Sequence, residues 1–582
     1  MKRNQGKLQL NIDDYRLGVN VTGDVYSFAV CGVGDKLRLM LYEAGQERPR
    51  FVYTITSEYK IGDVFSFKIV GAELDGLRYL YEDKNGIFTD PYAARLDNVP
   101  EFGKPRNNIP GVIERNDYNW REDRSPRIPK SDMIMYKLHV RGFTRSETSA
   151  VKNPGTFAAV TAKIPYFTKL GINVIELMPA YEFNEGSSVP NYWGYTKDAF
   201  YLAPKAAYSA SYLDGDGDYT VEFKDMVRKL HKAGIEVVME MFFDGVSDAM
   251  VIVNIIRFWM HNYHIDGVHL ICDDRLKVMI AGDPYIRDLK LIYTDWSGYE
   301  GRNLYACNDG FKDVVRPFLK GDDGQVPLYL EAMKKNPAGV GQINYICTNN
   351  GFTLMDLVSY DHKHNESNGE NGSDGTDYNM SWNCGVEGPT KKRAIVKLRN
   401  RQMANAMLLL LLSQGIPLIY SGDEFGNSQL GNNNAYNQDN ELGYTDWNAL
   451  KRNRAYATFV KELIAFRKSH KMLHQKLQAV MTDYKYHGMP DMSFHGFRAW
   501  YPDREFYSKQ AGILLCGKYA DEDCDIYIAI NMHWEEHLLA LPSVAESKWK
   551  VAFSSDGEKK LDIIEGKGIN VGPRTMMVLL SG

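Results

Sequence analysis

Five acidic residues stand at or just beyond the ends of apolar runs: Glu240, Asp244, Asp273, Asp274 and Asp295. Two carboxyl groups held about 5–5.5 Å apart can break an acetal linkage, one as nucleophile and one as acid/base. In Ile265–Arg275 (IDGVHLICDDR), Asp266 and Gly267 lead into a short apolar run that ends at Cys272 and Asp273. A run this short, bounded by turn signals and following an amphipathic segment, predicts a buried parallel strand. An α/β barrel places its chemistry at the C-terminal ends of such strands. Asp273 is two residues beyond Ile271, which puts it on the same strand face. The plainer reading of each acid is a solvated loop residue or a helix cap.

Other chemistry-bearing patterns are weaker. Asp214-Gly215-Asp216-Gly217-Asp218 invites a calcium reading, but an EF-hand wants Gly at the sixth position and Glu at the twelfth. Tyr219 and Asp225 stand there, so a loop before a helix is expected and no metal. The Gly-rich tract 368–376 reads as a surface loop, because no Lys-Ser/Thr follows it and no strand precedes it. No cofactor motif is found. Seven scattered cysteines show neither metal spacing nor a dense framework, which suits a reducing compartment. The net charge of −5, with both signs interspersed, gives no nucleic-acid footprint. Ala406–Leu412, the longest apolar run, is far too short for a membrane span, and MKRNQGKLQLNIDDY has no apolar signal core. A soluble cytoplasmic protein without nucleic-acid or membrane partners is expected.

The elements that must position such groups follow from pattern. A chain of 582 residues with 44% apolar content exceeds one ordinary core. Residues 1–105 carry short alternating runs (Val25–Ala29, Leu37–Tyr42, Phe51–Ile55, Phe65–Val70, Tyr79–Tyr81) and predict an N-terminal β-sandwich. A Pro/Asn/Arg-rich stretch over 100–130 reads as a linker. Residues 106–475 alternate strand and helix patterns, which implies a parallel sheet and a (β/α)8 barrel. Predicted strands are Met133–His139, Asn173–Met178, Ile235–Met241, the run ending at Cys272, Leu289–Thr294, Ile343–Thr348 and Ile416–Tyr420. Helices are expected over Phe157–Leu170, Val221–Ala233, Val251–His261 and Ala455–His470, with a long one running through Leu412. Residues 476–582 predict an antiparallel β-sandwich, with strands at Phe497–Tyr501, Ile513–Gly517, Asp525–Met532, Trp549–Ser554 and Thr575–Leu580. The fold class is multidomain α/β: a TIM barrel between two β-sandwiches.

Several long blocks are specific. Asn191-Tyr192-Trp193-Gly194-Tyr195 follows the second strand. Gly351-Phe352-Thr353-Leu354 and Lys363-His364-Asn365-Glu366 follow the seventh. Ser381–Thr390 reads SWNCGVEGPT, and Ser421–Gly426 and Gly431–Tyr436 follow the eighth. Together these resemble the α-amylase superfamily, glycoside hydrolase family 13, and within it the isoamylase and glycogen-debranching branch. The resemblance covers essentially the whole chain.

It also locates a disagreement. The family reads D-G-F-R-F-D on strand four, where the last Asp is the nucleophile and the Arg orients it; this chain has Ile271 and His269 there. The acid/base Glu of strand five falls at Thr294, and the third Asp, which steadies the distorted sugar, falls at Asn350 beside Asn349. Strand three changes from D-V-V-Y-N-H to Glu240–Gly245 (EMFFDG). An isoleucine forms no glycosyl ester, and a threonine hydroxyl does not titrate near neutrality. The resemblance makes Tyr195 the residue that stacks on the sugar at the cleavage subsite. Trp193, Trp296 and Trp382 are further stacking candidates, while His269, Asn349 and Asn350 keep hydrogen-bonding capacity.

Three readings follow. The chain is a catalytically silent isoamylase-like protein that binds α-glucan, such as glycogen or maltooligosaccharide, or partners an active glucan-metabolising enzyme. Alternatively it is an active hydrolase or transferase using relocated carboxylates, Asp273 and Asp295. Or it is a scaffold without sugar affinity.

Overall fold

The computed structural model describes residues 6–581 apart from 15, 105–107, 187–188, 216–217, 543–547, 558–562 and 565–567. Eight parallel strands close into a barrel: β1 (Met135–Leu138), β2 (Val174–Leu177), β3 (Glu236–Phe242), β4 (Gly267–Ile271), β5 (Lys290–Tyr293), β6 (Leu304–Cys307), β7 (Gly341–Asn344) and β8 (Ile416–Tyr420). Their middles are buried on both faces, which is why they read as short apolar runs. Asp266 starts β4 by accepting from Val237 N at 2.7 Å and facing His231 Nε2 at 2.9 Å. Gly267 then lets β4 close on β5: a Cβ there would lie 2.9 Å from the Lys290 backbone oxygen and Cβ.

Six of the eight strands match the sequence pattern, and β7 shares only Ile343 and Asn344 with the expected Ile343–Thr348. The eighth, β6, was not expected; its four residues lie between Gly301-Arg302-Asn303 and Asn308-Asp309-Gly310. The helix expected over Phe157–Leu170 is two helices, Phe157–Ala162 and Ile164–Leu170. Pro165 sits in the first turn of the second, where its missing N–H costs nothing. The long helix is Arg393–Leu412, and Ala455–His470 corresponds to Arg454–Ser469.

The N-terminal part is a sandwich of two five-stranded sheets. The second sheet includes Gly111–Val112, which pairs with Arg78 and Tyr79; Pro105 and Arg106, where the sequence divides sandwich from barrel, lie outside the described residues. Phe28, Phe67, Tyr79 and Tyr81 form the aromatic centre of its core. The C-terminal part packs a five-stranded antiparallel sheet with a three-stranded one. Its first strand is Met492–His495, and the expected strand at 497–501 is instead a turn bridged at Arg498 and Tyr501. Among the described residues, no helix is long and apolar enough to cross a membrane.

Candidate functional site

The C-terminal mouth of the barrel holds a cavity of about 590 Å³. Its floor is built by register. Lys137 on β1 lies opposite Glu176 on β2, and Glu240 on β3 lies opposite His269 on β4. The Lys137 Nζ donates to Glu240 Oε1 at 2.7 Å and lies 3.4 Å from Glu176 Oε1. The His269 Nδ1 is 2.9 Å from Glu176 Oε1 and 3.4 Å from Glu240 Oε1. Two cations and two carboxylates thus neutralise each other below the cleft, all deeply buried except for the partly covered His269 ring.

Burial and pairing oppose each other here. Burial pushes the Glu176 carboxyl up, but Lys137 and His269 outweigh it and bring it down to about 2. Burial disfavours the Lys137 ammonium, yet Glu240 and Glu176 hold it above the ordinary lysine value. Burial likewise works against a charged His269; the Cys307 sulfur and Glu176 outweigh it, and the ring stays charged well above its usual range. The cluster Glu176, Glu240 and His269 has the composition of a cation site, but Lys137 already fills that place with positive charge.

The wall is aromatic. Tyr195 donates its hydroxyl to Glu240 Oε2 at 2.8 Å and accepts from Asn349 Nδ2 at 3.2 Å. Burial, then Glu240, push its phenol well above the ordinary tyrosine value. Trp193 meets Tyr195 and Tyr436 edge-on. A buried asparagine network stands behind them: Asn365 donates to Asn433, Asn432 to Asn368 and Asn433 to Asn379, at 2.7–2.9 Å. This network fixes the Gly-rich tract, which is the surface loop expected, onto the segment after β8.

Ile271, Thr294 and Asn350, the positions at which the resemblance leads one to expect the family's carboxylates, all line the cleft. Ile271 ends β4, Thr294 follows β5 directly, and Asn350 lies in the loop six residues beyond Asn344, the end of β7; the last two are exposed. Tyr195, Trp193, His269 and Asn349 line it with them. Trp296 does not: it is buried and donates its indole N–H to Tyr305 O at 2.9 Å. Trp382 is also outside, under the Arg574 guanidinium.

Nor do the two proposed substitutes reach the cavity. Strand β4 ends at Ile271, so alternation stops before Asp273, which is exposed and paired with Arg275. The Arg275 hydrogen bonds bring its carboxyl down to about 2. Asp295 is exposed and accepts from Ser297 N and Oγ. Asp218, at the end of the stretch tested for calcium, caps the helix Tyr219–Lys232 through Thr220 N; Asp216 and Gly217 lie outside the described residues.

Sequence reasoning missed Lys137, Glu176, Cys307 and Asp309. The signal for the first two was present: a single charge inside an otherwise apolar parallel strand is costly unless paired. Asp309 lines the cleft, where Tyr345 donates to it and Lys312 approaches at 3.0 Å. Burial raises its carboxyl, but these two donors bring it below the ordinary value.

The chain is similar in sequence to plant and bacterial proteins. The chloroplastic isoamylase 1 of Arabidopsis thaliana is 30% identical over 602 residues, 83% of this chain and 75% of that protein. A glycogen operon protein GlgX homolog of Mycobacterium tuberculosis is 33% identical over 480 residues, 68% of this chain and 65% of that protein. The pullulanase of Paenibacillus barengoltzii, solved with maltohexaose and α-cyclodextrin, shares the fold with a TM-score of 0.75 at 19% identity, covering 98% of this chain and 95% of that one. No family model matches the sequence.

Proposed function

Because the chain belongs to the isoamylase branch of glycoside hydrolase family 13, a family of α-glucan debranching proteins, we propose that it is a member that binds α-glucan without hydrolysing it. The observation that carries this reading is the trio Ile271, Thr294 and Asn350 lining the cleft. None can be ionised near neutrality. The carboxylates that remain in the floor are engaged: Glu176 and Glu240 with Lys137 and His269, and Glu240 also with Tyr195. A carboxyl brought down to about 2, as in Glu176, is a poor proton donor to a leaving oxygen. General acid–base help alone is worth about 10²–10⁴-fold, and a covalent nucleophile adds to that.

Sugar affinity is supported by the aromatic wall of Trp193, Tyr195 and Tyr436 and by the amides of Asn349 and Asn350. The pullulanase of the same fold was solved with maltohexaose. Its place in glucan metabolism is then that of a binding or partner subunit beside an active enzyme. All seven cysteines are unpaired, which fits a reducing compartment such as the cytoplasm.

Pure protein incubated with glycogen, pullulan or maltohexaose should release no reducing ends above a blank. Glycogen cast in a native gel should retard it, and Tyr195→Ala should weaken that retardation several-fold. Retardation untouched by Tyr195→Ala would move the glucan to the N-terminal sandwich. No retardation at all would leave a scaffold. Hydrolysis by other carboxylates is a second reading, favoured because Asp309 and Glu240 both line the cleft. Steady sugar release, abolished by Glu240→Gln or Asp309→Asn, would establish it.

A further inference from the structure

The strand that the sequence pattern hides, β6, ends on Cys307. Its side chain is half-buried and faces the cleft. The Cys307 Sγ lies 3.6 Å from His269 Nε2, within hydrogen-bonding range for sulfur. The other ring nitrogen, His269 Nδ1, is held by Glu176 Oε1 at 2.9 Å. With the Nδ1 proton donated to Glu176, Nε2 faces the sulfur and holds the proton the two groups share. A thiol, an imidazole and a carboxylate in series form the arrangement by which cysteine hydrolases activate sulfur.

We propose that this cleft carries a thiol-based chemistry unrelated to acetal cleavage, with Cys307 as nucleophile, His269 as its proton acceptor and Glu176 as positioning residue. The substrate class is a carboxylic ester small enough for a cavity of about 590 Å³. The proton shared by sulfur and His269 stays on Nε2 as sulfur bonds to the carbonyl carbon. The ester C–O bond then breaks, and the leaving alkoxide takes that proton. Water attacks the thioester, gives a proton to His269 and releases the acid; His269 returns the proton to sulfur.

Two observations support the assignment. The charged form of His269 is favoured by Cys307 and Glu176 against burial, as an imidazolium beside a thiolate would be. Lys137 lies within electrostatic reach of the same sulfur, and positive neighbours favour the thiolate. This chemistry does not depend on glucan binding.

The test uses the full chain. Limiting iodoacetamide followed by peptide mass spectrometry gives a rate for each cysteine; sulfur displaces iodide and the thiol proton goes to His269. Cys307 should react about tenfold faster than exposed Cys31. p-Nitrophenyl acetate should give a burst of about one nitrophenolate per chain, with the acetyl group on Cys307 and none in Cys307→Ala. His269→Gln should bring the Cys307 rate down to that of Cys31. Glu176→Gln should lower kcat for the ester while leaving KM, which a merely structural role would not separate. Cys307 reacting no faster than Cys31, or acetyl found elsewhere, overturns the proposal. The iodoacetamide comparison needs no variant, so a substitution that fails to fold leaves it standing.

Discussion

Lys137 is the residue on which the cleft floor depends. Its ammonium is the common partner of two buried carboxylates, and removing one partner of a buried ion cluster typically costs about 3–5 kcal/mol. Lys137→Met should therefore lower the unfolding free energy by that amount in a urea titration, seen as a lower midpoint with the slope unchanged. The same cluster sets an acid limit. The Glu176 carboxyl is lower in the folded chain, about 2, than its ordinary 4.5. Its contribution is therefore present above pH 4.5 and lost as the pH falls through 2. Melting temperature followed across that window should fall, and Glu176→Gln should flatten the profile. Of these residues the sequence exposed the substitutions but not their compensation. Ile271, Thr294 and Asn350 are legible because each stands at a fixed place in a long block. Lys137 and Glu176 meet only when β1 and β2 pair, about forty residues apart, and pairing across strands is not written in local pattern.

At the level of elements, period and punctuation were informative where strands were bounded by strong signals. They failed where a short element had no longer run around it or a pattern ran past its end. β6 has polar turns directly on both sides of its four residues, whereas the equally short β1, β2, β5 and β7 sit in longer runs. Alternation extended Ile271 to Asp273, although the chain turns away after the strand. A second case is the end of the long helix Arg393–Leu412, where Ser413 Oγ donates to Leu409 O at 2.6 Å and the carbonyls that follow are reached from another helix. Arg467, fully buried on the helix Arg454–Ser469, donates to Leu411 O and Ser413 O at 2.7 and 2.8 Å and to Gly415 O at 2.6 Å. These carbonyls lie between that helix and β8, so one guanidinium stitches two helices to a barrel strand. Burial alone brings its pKa down to about 9. Arg467→Lys offers a point charge in place of a fork and cannot serve all three. It should cost about 2–3 kcal/mol by chemical denaturation, and Arg467→Ala, which orphans every carbonyl, should cost more.

Across the whole molecule, the three parts share cores that the linear reading had divided. The barrel core runs on through Met492, Phe494, Ile513, Ile528 and Val578 of the C-terminal sheet. The sandwich core at the other end takes in Ala203, Ala206 and Tyr219 from the barrel. Tyr219 opens the helix Tyr219–Lys232, is fully buried, and receives the Leu96 backbone N–H on its hydroxyl at 2.6 Å. Composition shifts marked where architecture changes along the chain, and in that sense the domain order was legible. They carry no information on which barrel side chain completes a neighbour's core, because that depends on docking. One consequence is cooperative unfolding: an interface that completes a core couples the stabilities of the parts it joins. Calorimetry of the full chain should show one endotherm spanning sandwich and barrel. Tyr219→Phe removes only the hydroxyl contact and should cost about 1 kcal/mol with the single endotherm kept. Tyr219→Ala opens a cavity, costs about 3–5 kcal/mol, and should separate an early sandwich transition from a later barrel one. Two endotherms already in the unaltered chain would mean that the shared core does not couple the two parts.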